Sequence, residues 1–370
     1  MTLLDKISNK KMVIVGGSGG VGKTTLAAAI ALKLAKAGKK TLVLTIDPAK
    51  RLASTLGLER FQPKPQKINI DTQHSLWAML LDVQHTFDTL IRTHAPTEEI
   101  AETILKNKIY QHMASAMAST QEYIALEKLY ELHEKNEFDA IVLDTPPSAH
   151  ALSFIEAPDR LANFLDGKNM EWFLKPYAYA GKWGFRILSK SSKMVLNLLE
   201  KVTGLKLLQD LSEFMLSLES FYEGFRDRTL KAKSILKSPQ TSFLIVTVPE
   251  FSVFEDTVKF QKKLSERQIR IDAILVNRMT PLVLLTDAQK KELESLKKHD
   301  LSGKERSILS LFEKYQHLAE QEKRQMAHLK KLMPSSIDLF PIPFFEKDIS
   351  SIQDLHLLNL HLFHGSGTLP

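Results

Sequence analysis

The feature that most constrains the fold is a glycine-rich loop, Gly16–Thr25, which carries the pattern G-x-x-x-x-G-K-T from Gly17 to Thr24. The apolar run Met12–Val15 precedes it, and an alanine- and leucine-rich stretch that favours a helix follows it. Strand, glycine turn and helix are the context that a phosphate-binding loop requires. Glycines allow backbone N–H groups to approach phosphate oxygens, and the helix amino terminus adds unpaired donors and partial positive charge. The loop therefore predicts a nucleotide-binding protein.

The pattern also predicts a role for individual residues of the loop. Lys23 can reach the outer phosphates, where it is expected to act in catalysis as well as binding. The Thr24 hydroxyl is expected to be a ligand of Mg²⁺. The predicted nucleotide-binding residues of the loop are Gly19, Gly20, Val21, Gly22, Lys23, Thr24 and Thr25.

Two aspartates follow apolar runs that are typical of buried strands. Asp47 comes directly after Thr41–Ile46, where ligands bind in open α/β sheets, and is the candidate for orienting an attacking water; the alternative is a turn-forming Asp-Pro. Asp144 ends the run from Phe138 in the Walker-B arrangement, in which the carboxylate holds Mg²⁺, usually through a water. The segment after Asp144 predicts a loop that senses the γ-phosphate.

Apolar runs alternate with helical patterns along the chain, which predicts an α/β fold with a doubly wound, mostly parallel sheet. A short edge strand is expected at Ile68–Ile70. The range Leu76–Ile91 is expected to contain a strand, a helix or both, and helices are expected around 97–134. The predicted architecture is a P-loop NTPase core interrupted by a helical subdomain. Its expected boundaries are 1–159 for the first part of the core, 160–238 for the insert, and 239–370 for the second part with the adenine-side elements.

The predicted insert differs from the core in composition. Aromatic residues are dense from Trp172 to Phe185, and apolar residues recur at helical spacing from Leu207 to Phe225. A closed helical core is the favoured interpretation of such a stripe. An exposed apolar groove for a hydrophobic protein or peptide client is the alternative.

Composition excludes several classes of protein. The chain has no cysteine, which excludes disulfides and thiolate zinc sites. Its net charge of +7 is spread over helices that alternate lysine with glutamate, so nucleic-acid binding is not expected. No run reaches the roughly 18 apolar residues of a membrane span, and no secretory signal opens the chain, so a cytoplasmic location is expected. Leu355–Phe363 predicts a packed terminal element, and peripheral membrane contact stays open.

Four segments, in this order and spacing, resemble the ArsA-type anion-transporting ATPases, relatives of the ParA and MinD ATPases. The resemblance covers nearly the whole chain and rests on Gly17–Thr25, Thr45–Ala49, Asp144–His150 and Val276–Arg278. It implies ATP and Mg²⁺ as cofactors and a homodimer with ATP at its interface. By the same resemblance Asp47 positions the hydrolytic water, and Asn277 binds the adenine, with Pro343 in a proline-rich stretch near the base.

Two departures from the family limit this inference. Without cysteine, neither an arsenite site nor the Cys-x-x-Cys zinc clip of the family's tail-anchored-protein targeting members is expected. The hallmark lysine near the start of the loop is replaced by Ser18, as in a subgroup of bacterial ArsA-like proteins.

The expected function is an ATPase whose hydrolysis drives a dimeric conformational switch that handles a protein or hydrophobic client. One alternative is a slow-hydrolysing, nucleotide-gated binding module or scaffold, which the loss of the lysine favours. Another is a positioning ATPase like ParA or MinD. That function predicts DNA contacts or a lysine-rich amphipathic carboxyl-terminal helix, and Leu355–Phe363 lacks such a lysine-rich face.

Overall fold

The computed structural model describes residues 2–46, 50–60, 62–71, 73–107, 110–111, 121–146, 222–299 and 301–364. The aromatic segment from Trp172 to Phe185 and the apolar face from Leu207 as far as residue 221 lie outside the described residues. The predictions of a closed core or of a client groove there stay predictions.

The described strands form one eight-stranded sheet in the order β3-β4-β2-β5-β1-β6-β7-β8. All neighbouring pairs are parallel except β3 with β4, so the mostly parallel sheet predicted from the sequence is confirmed. The strands are β1 (Met12–Gly17), β2 (Thr41–Thr45), β3 (Gln66–Ile68), β4 (Leu76–Leu80), β5 (Ala140–Asp144), β6 (Thr241–Thr247), β7 (Ile271–Met279) and β8 (Asp338–Pro343).

Helices cover both faces of this sheet, because alternate residues of each buried strand point to opposite sides. In β1, Met12 and Ile14 join one apolar core while Val13 and Val15 join the other. The helices of the first core are Val83–His94, Glu98–Lys106, Gln121–Lys135, Tyr222–Leu236, Phe251–Glu266 and Gly303–Leu332. Those of the second are Leu3–Ile7, Lys23–Lys36, Lys50–Thr55 and Ile352–His364. The remaining described helix is Asp287–Lys298, which buries no residue.

Most predicted elements have counterparts among these. The stretch Leu76–Ile91 contains both a strand and a helix, and the edge strand begins two residues earlier than predicted. The terminal helix buries Leu355, Leu358 and Leu362, as expected for a packed terminal element. Within the ranges described, no helix has the length and apolar character needed to cross a membrane.

Candidate active site

The phosphate loop leaves the sheet at the carboxyl end of β1, the strand between β5 and β6. Its backbone requires glycine at two points. A Cβ on Gly17 would lie 2.1 Å from the backbone oxygen of Val246 in β6. Gly22 precedes the helix Lys23–Lys36 with φ at 96°, and a Cβ there would lie 2.4 Å from the side-chain nitrogen of Asn277. Glycine at these two positions therefore allows the loop to pass close to the backbone of β6 and to the side chain of Asn277.

Lys23 is buried in this loop, with 7% of its surface exposed. Its Nζ donates a hydrogen bond to the carbonyl oxygen of Ser18 at 2.7 Å, across the turn. The helix that starts at Lys23 has no acidic residue in its own first turn, so its own sequence places no carboxylate against the partial positive charge of its amino terminus. The loop consequently combines an ammonium group and backbone donors suited to a polyanion.

Thr24 and Asp144, the two predicted magnesium ligands, are brought together. The Thr24 hydroxyl donates to Asp144 Oδ2 at 2.7 Å, and Thr45 Oγ1 donates to the same oxygen at 3.1 Å. Asp144 is 2% exposed, at the end of β5 between β1 and β2. Hydroxyl and carboxylate oxygens are the ligand type that Mg²⁺ takes, so these residues fit the metal that the loop implies.

The start of the segment after β5 is fixed to the phosphate-loop strand. Thr145 donates to the carbonyl oxygen of Val15 through its backbone N–H at 3.2 Å and its hydroxyl at 2.9 Å. These two bonds hold Thr145, the residue directly after Asp144, against β1. Residues 147–150 of the predicted γ-phosphate sensor lie outside the described part of the chain.

Asn277 lies at the carboxyl end of β7, where its side-chain nitrogen donates to the carbonyl oxygen of Val21 at 2.8 Å. The pairing of β7 with β8 shifts register here, Arg278 adopts a φ of 61°, and Met279 pairs with Pro343. Asn277 and Pro343 thus share the edge that carries the phosphate loop. Their contact with adenine stays a prediction, and the structure adds a bond from Asn277 to the loop itself.

Asp47, the predicted water-orienting residue, lies outside the described residues, and so do the side chains of Lys50 and Arg51. The described neighbour, Ile46, is buried directly after β2, whose last residue Thr45 bonds Asp144. The role of Asp47 therefore stays a prediction.

Glu322 is a residue of this edge that sequence reasoning missed. It is 7% exposed and accepts hydrogen bonds from the backbone N–H of Thr280 at 2.6 Å and from the Thr280 hydroxyl at 3.1 Å. Thr280 directly follows β7, three residues after Asn277. In the sequence Glu322 is one of many charges on a long helix, and no local pattern distinguishes it from the solvated ones.

Comparison with known proteins identifies the family. The family model for the anion-transporting ATPases matches residues 10–332. The chain is similar to the "ATPase ASNA1 homolog" of Plasmodium yoelii yoelii, with 26% identity over 291 residues, 77% of this chain and 67% of that protein. It is also similar to the "Putative arsenical pump-driving ATPase 2" of Aquifex aeolicus, with 26% identity over 279 residues, 73% of this chain and 81% of that protein.

A third relative matches over more of the chain. The "ATPase ASNA1 homolog" of Plasmodium vivax is 24% identical over 367 residues, 94% of this chain and 87% of that protein. The range matched by the family model contains the phosphate loop, Asp144, Asn277 and Glu322. The chain is therefore a P-loop ATPase that belongs to the anion-transporting ATPase family.

Proposed function

We propose that this chain binds MgATP at the phosphate loop and that hydrolysis switches a homodimer that handles a hydrophobic protein or peptide client. The observation that carries the nucleotide part is the 2.7 Å hydrogen bond between the Thr24 hydroxyl and Asp144. It brings together one oxygen ligand from the loop helix and one from β5, as metal binding in a P-loop ATPase requires. The dimer and the client come from the family resemblance, with the insert 160–238 as the proposed client-binding part.

In this proposal the residues of the loop bind and orient the triphosphate. Backbone N–H groups from Gly19 to Thr25 and the helix amino terminus donate to phosphate oxygens. The Lys23 ammonium exchanges its neutral acceptor, the Ser18 carbonyl, for an anionic oxygen, and a charge-assisted bond is the stronger of the two. Mg²⁺, when bound beside Thr24 and Asp144, neutralises charge that develops on the phosphates.

Asp47 is proposed to orient the hydrolytic water, so its carboxylate should matter for turnover more than for binding. Asp47→Asn preserves the shape of the side chain and removes the charge. We expect its MgATP dissociation constant, measured by fluorescence with a labelled nucleotide, to stay within about threefold of the parent, while single-turnover hydrolysis falls by about 100-fold or more. Unchanged turnover in this variant would eliminate the role.

A slow-hydrolysing clamp is the second candidate, favoured by Ser18. A serine hydroxyl supplies no charge, whereas a cation added at the transition state of related phosphoryl transfers contributes about 10³–10⁵ in rate. Either turnover is slow, or Lys50 or Arg51 provides the cation instead. Single-turnover hydrolysis decides: Ser18→Lys should be faster than the parent if the cation is missing, and Lys50→Ala or Arg51→Ala should be slower if it is replaced. No effect in all three would contradict both explanations.

A further inference from the structure

The helix Gly303–Leu332 extends well past the edge of the sheet that carries the phosphate loop. Glu322 contacts Thr280 just after β7 ends, and Lys330 donates to the carbonyl of Ile337 just before β8 begins. Because β7 and β8 are parallel, the part of the helix before Glu322 lies beyond their carboxyl ends. At 1.5 Å per residue, residues 303–321 extend about 28 Å past this contact.

Residues 283–318 form a helical hairpin on this extension, which we call the overhanging hairpin. Val283 exchanges two hydrogen bonds with Gln316, at 3.2 and 2.8 Å, and Lys297 forms an ion pair with Glu313 at 2.9 Å. The helix Asp287–Lys298 buries no residue of its own. The hairpin thus has polar contacts between its helices but little core within a single chain.

One face of the overhanging hairpin carries four exposed apolar side chains, which we call the seam. Ile308, Leu311, Tyr315 and Leu318 are 68%, 67%, 42% and 44% exposed. Their spacing of three, four and three residues is the a/d repeat by which one helix packs against another in a coiled coil. Farther along the helix, at the same periodicity, Glu322 and Leu329 are buried against the core. The seam is therefore the continuation of a packing face, and it lacks a cover within the described residues.

A groove of about 430 Å³ between the two helices adjoins the seam. Ile308 belongs to both. The apolar side chains that line the groove are Leu285, Leu293, Leu296, Leu301, Ile308, Leu309 and Phe312. This volume accommodates a few side chains inserted from a neighbouring helix, and it is too small to enclose a helix of roughly twenty residues about 10 Å across. The surface therefore fits a partner helix that presents a single row of side chains.

The charges of the overhanging hairpin favour a copy of itself over an anionic surface. Residues 283–318 contain seven Lys and Arg and six Asp and Glu, a net charge of +1, whereas the whole chain carries +7. Two such hairpins repel each other only weakly, at +1 each, and offer both signs for pairing at the rim. A membrane of anionic lipids attracts basic clusters and gains little from this mixture.

We propose that the seam is an interface between two copies of this chain, with the two overhanging hairpins packed on each other about a twofold axis. The proposal rests on the homodimer of the proposed function and names the surface that joins it. Its position beyond the phosphate-loop edge lets this contact form beside the nucleotide site. The hydrogen bonds of Glu322 to Thr280 connect the seam helix to the end of β7, three residues from Asn277.

The first test is sedimentation equilibrium of the full chain, with and without MgATP. Leu311→Glu places a charge in the seam twice per dimer, and we expect the dimer dissociation constant to rise by about 100-fold or more. Leu360→Glu is the matched control, because Leu360 is 55% exposed on the terminal helix that packs on the opposite face of the sheet. It should dimerise like the parent. Equal dimerisation of the Leu311 and Leu360 variants would overturn the proposal, and so would a parent that stays monomeric.

The absence of cysteine supplies the second test. Leu311→Cys should form an intermolecular disulfide under mild oxidation, whereas Leu360→Cys should not.

Two further readouts use Leu311→Glu. If it stays dimeric and loses binding of a hydrophobic helical peptide, the seam is a client site and the proposal is wrong. Phosphate release from MgATP distinguishes a failure of the seam proposal from a failure of the proposed function. A Leu311→Glu variant that stays dimeric and hydrolyses ATP contradicts the seam proposal alone. A parent protein that does not hydrolyse ATP contradicts the proposed function alone.

Discussion

At the scale of single residues, the loop glycines differ in what surrounds them. Gly17 faces backbone, the Val246 oxygen, which cannot move without shifting β6. Gly22 faces the end of the Asn277 side chain, which can rotate away once its hydrogen bond to Val21 is lost. Gly20 has φ at 74° but open space where a Cβ would lie. The same substitution therefore has three different physical consequences within six residues.

Alanine at these positions should destabilise the protein in the order Gly17, Gly22, Gly20. Gly20→Ala should cost about 1–2 kcal/mol, the strain of a left-handed backbone. Gly22→Ala should add about 1 kcal/mol for the lost Asn277 bond, and Gly17→Ala should exceed both. Urea denaturation measures the series. In the Gly22→Ala background, Asn277→Ala should cost less than it does alone, and equal costs in the two backgrounds would refute the clash with Asn277.

The sequence identified the candidate site residues that local spacing encodes, and their roles stay predictions. Lys23 and Thr24 follow from the loop pattern, and Asp144 follows from its place at the end of an apolar run. Glu322 could not be predicted, because its partner Thr280 is 42 residues away and only the fold brings the two together. The hydrogen bond from Asn277 to Val21 was missed for the same reason, since it joins residues 256 positions apart.

At the scale of elements, a buried ion pair joins the helix Gln121–Lys135, which precedes β5, to the helix Tyr222–Leu236, which precedes β6. Glu127, in Gln121–Lys135, is 2% exposed and accepts a hydrogen bond from Arg228 in Tyr222–Leu236. The Arg228 guanidinium also lies over the ring of Tyr130, 4.6 Å from its centre. Burial raises the pKa of Glu127 above its usual range, although Arg228 opposes the shift. The carboxylate therefore depends on this arginine for its charge compensation.

Arg228→Leu should leave Glu127 buried without its cation and cost about 3–5 kcal/mol near pH 8. The folded-state pKa of Glu127 then rises further above its unfolded value. The stability of the variant is therefore fully present below the unfolded pKa of Glu127 and is lost as pH rises through its folded pKa. Denaturation at pH 5 and pH 8 should show a larger cost at pH 8. The double variant Glu127→Gln/Arg228→Leu should lose this dependence, and a pH-independent cost in the single variant would contradict the assignment.

Element types followed from the sequence where the pattern was long and regular. Continuous apolar runs, such as those that precede Asp47 and Asp144, predicted buried parallel strands that the structure contains. The edge strand was less well defined: β3 is three residues long and antiparallel to β4, and its pairing depends on a neighbour that the local sequence does not specify.

At the scale of the whole molecule, the sheet order explains why distant motifs meet. Placing β1 between β5 and β6 brings the phosphate loop beside Asp144, and β7, next to β6, brings Asn277 to the same loop. All these residues lie at the carboxyl edge, where open α/β sheets bind ligands. The helix Gly303–Leu332 continues beyond this edge, so in the proposed dimer its seam would lie beside the nucleotide site.

We propose that Asp144 and the phosphate loop form one MgATP-hydrolysing site. Phosphate release from MgATP, measured for the intact chain and for Asp144→Asn at saturating nucleotide, tests this assignment. The asparagine keeps the size of the side chain and the capacity to accept from Thr24, but it removes the charge that holds the metal. We predict release above the buffer rate for the parent and at least a tenfold lower rate for Asp144→Asn. Equal rates for the two proteins, or no release by the parent, would contradict this assignment.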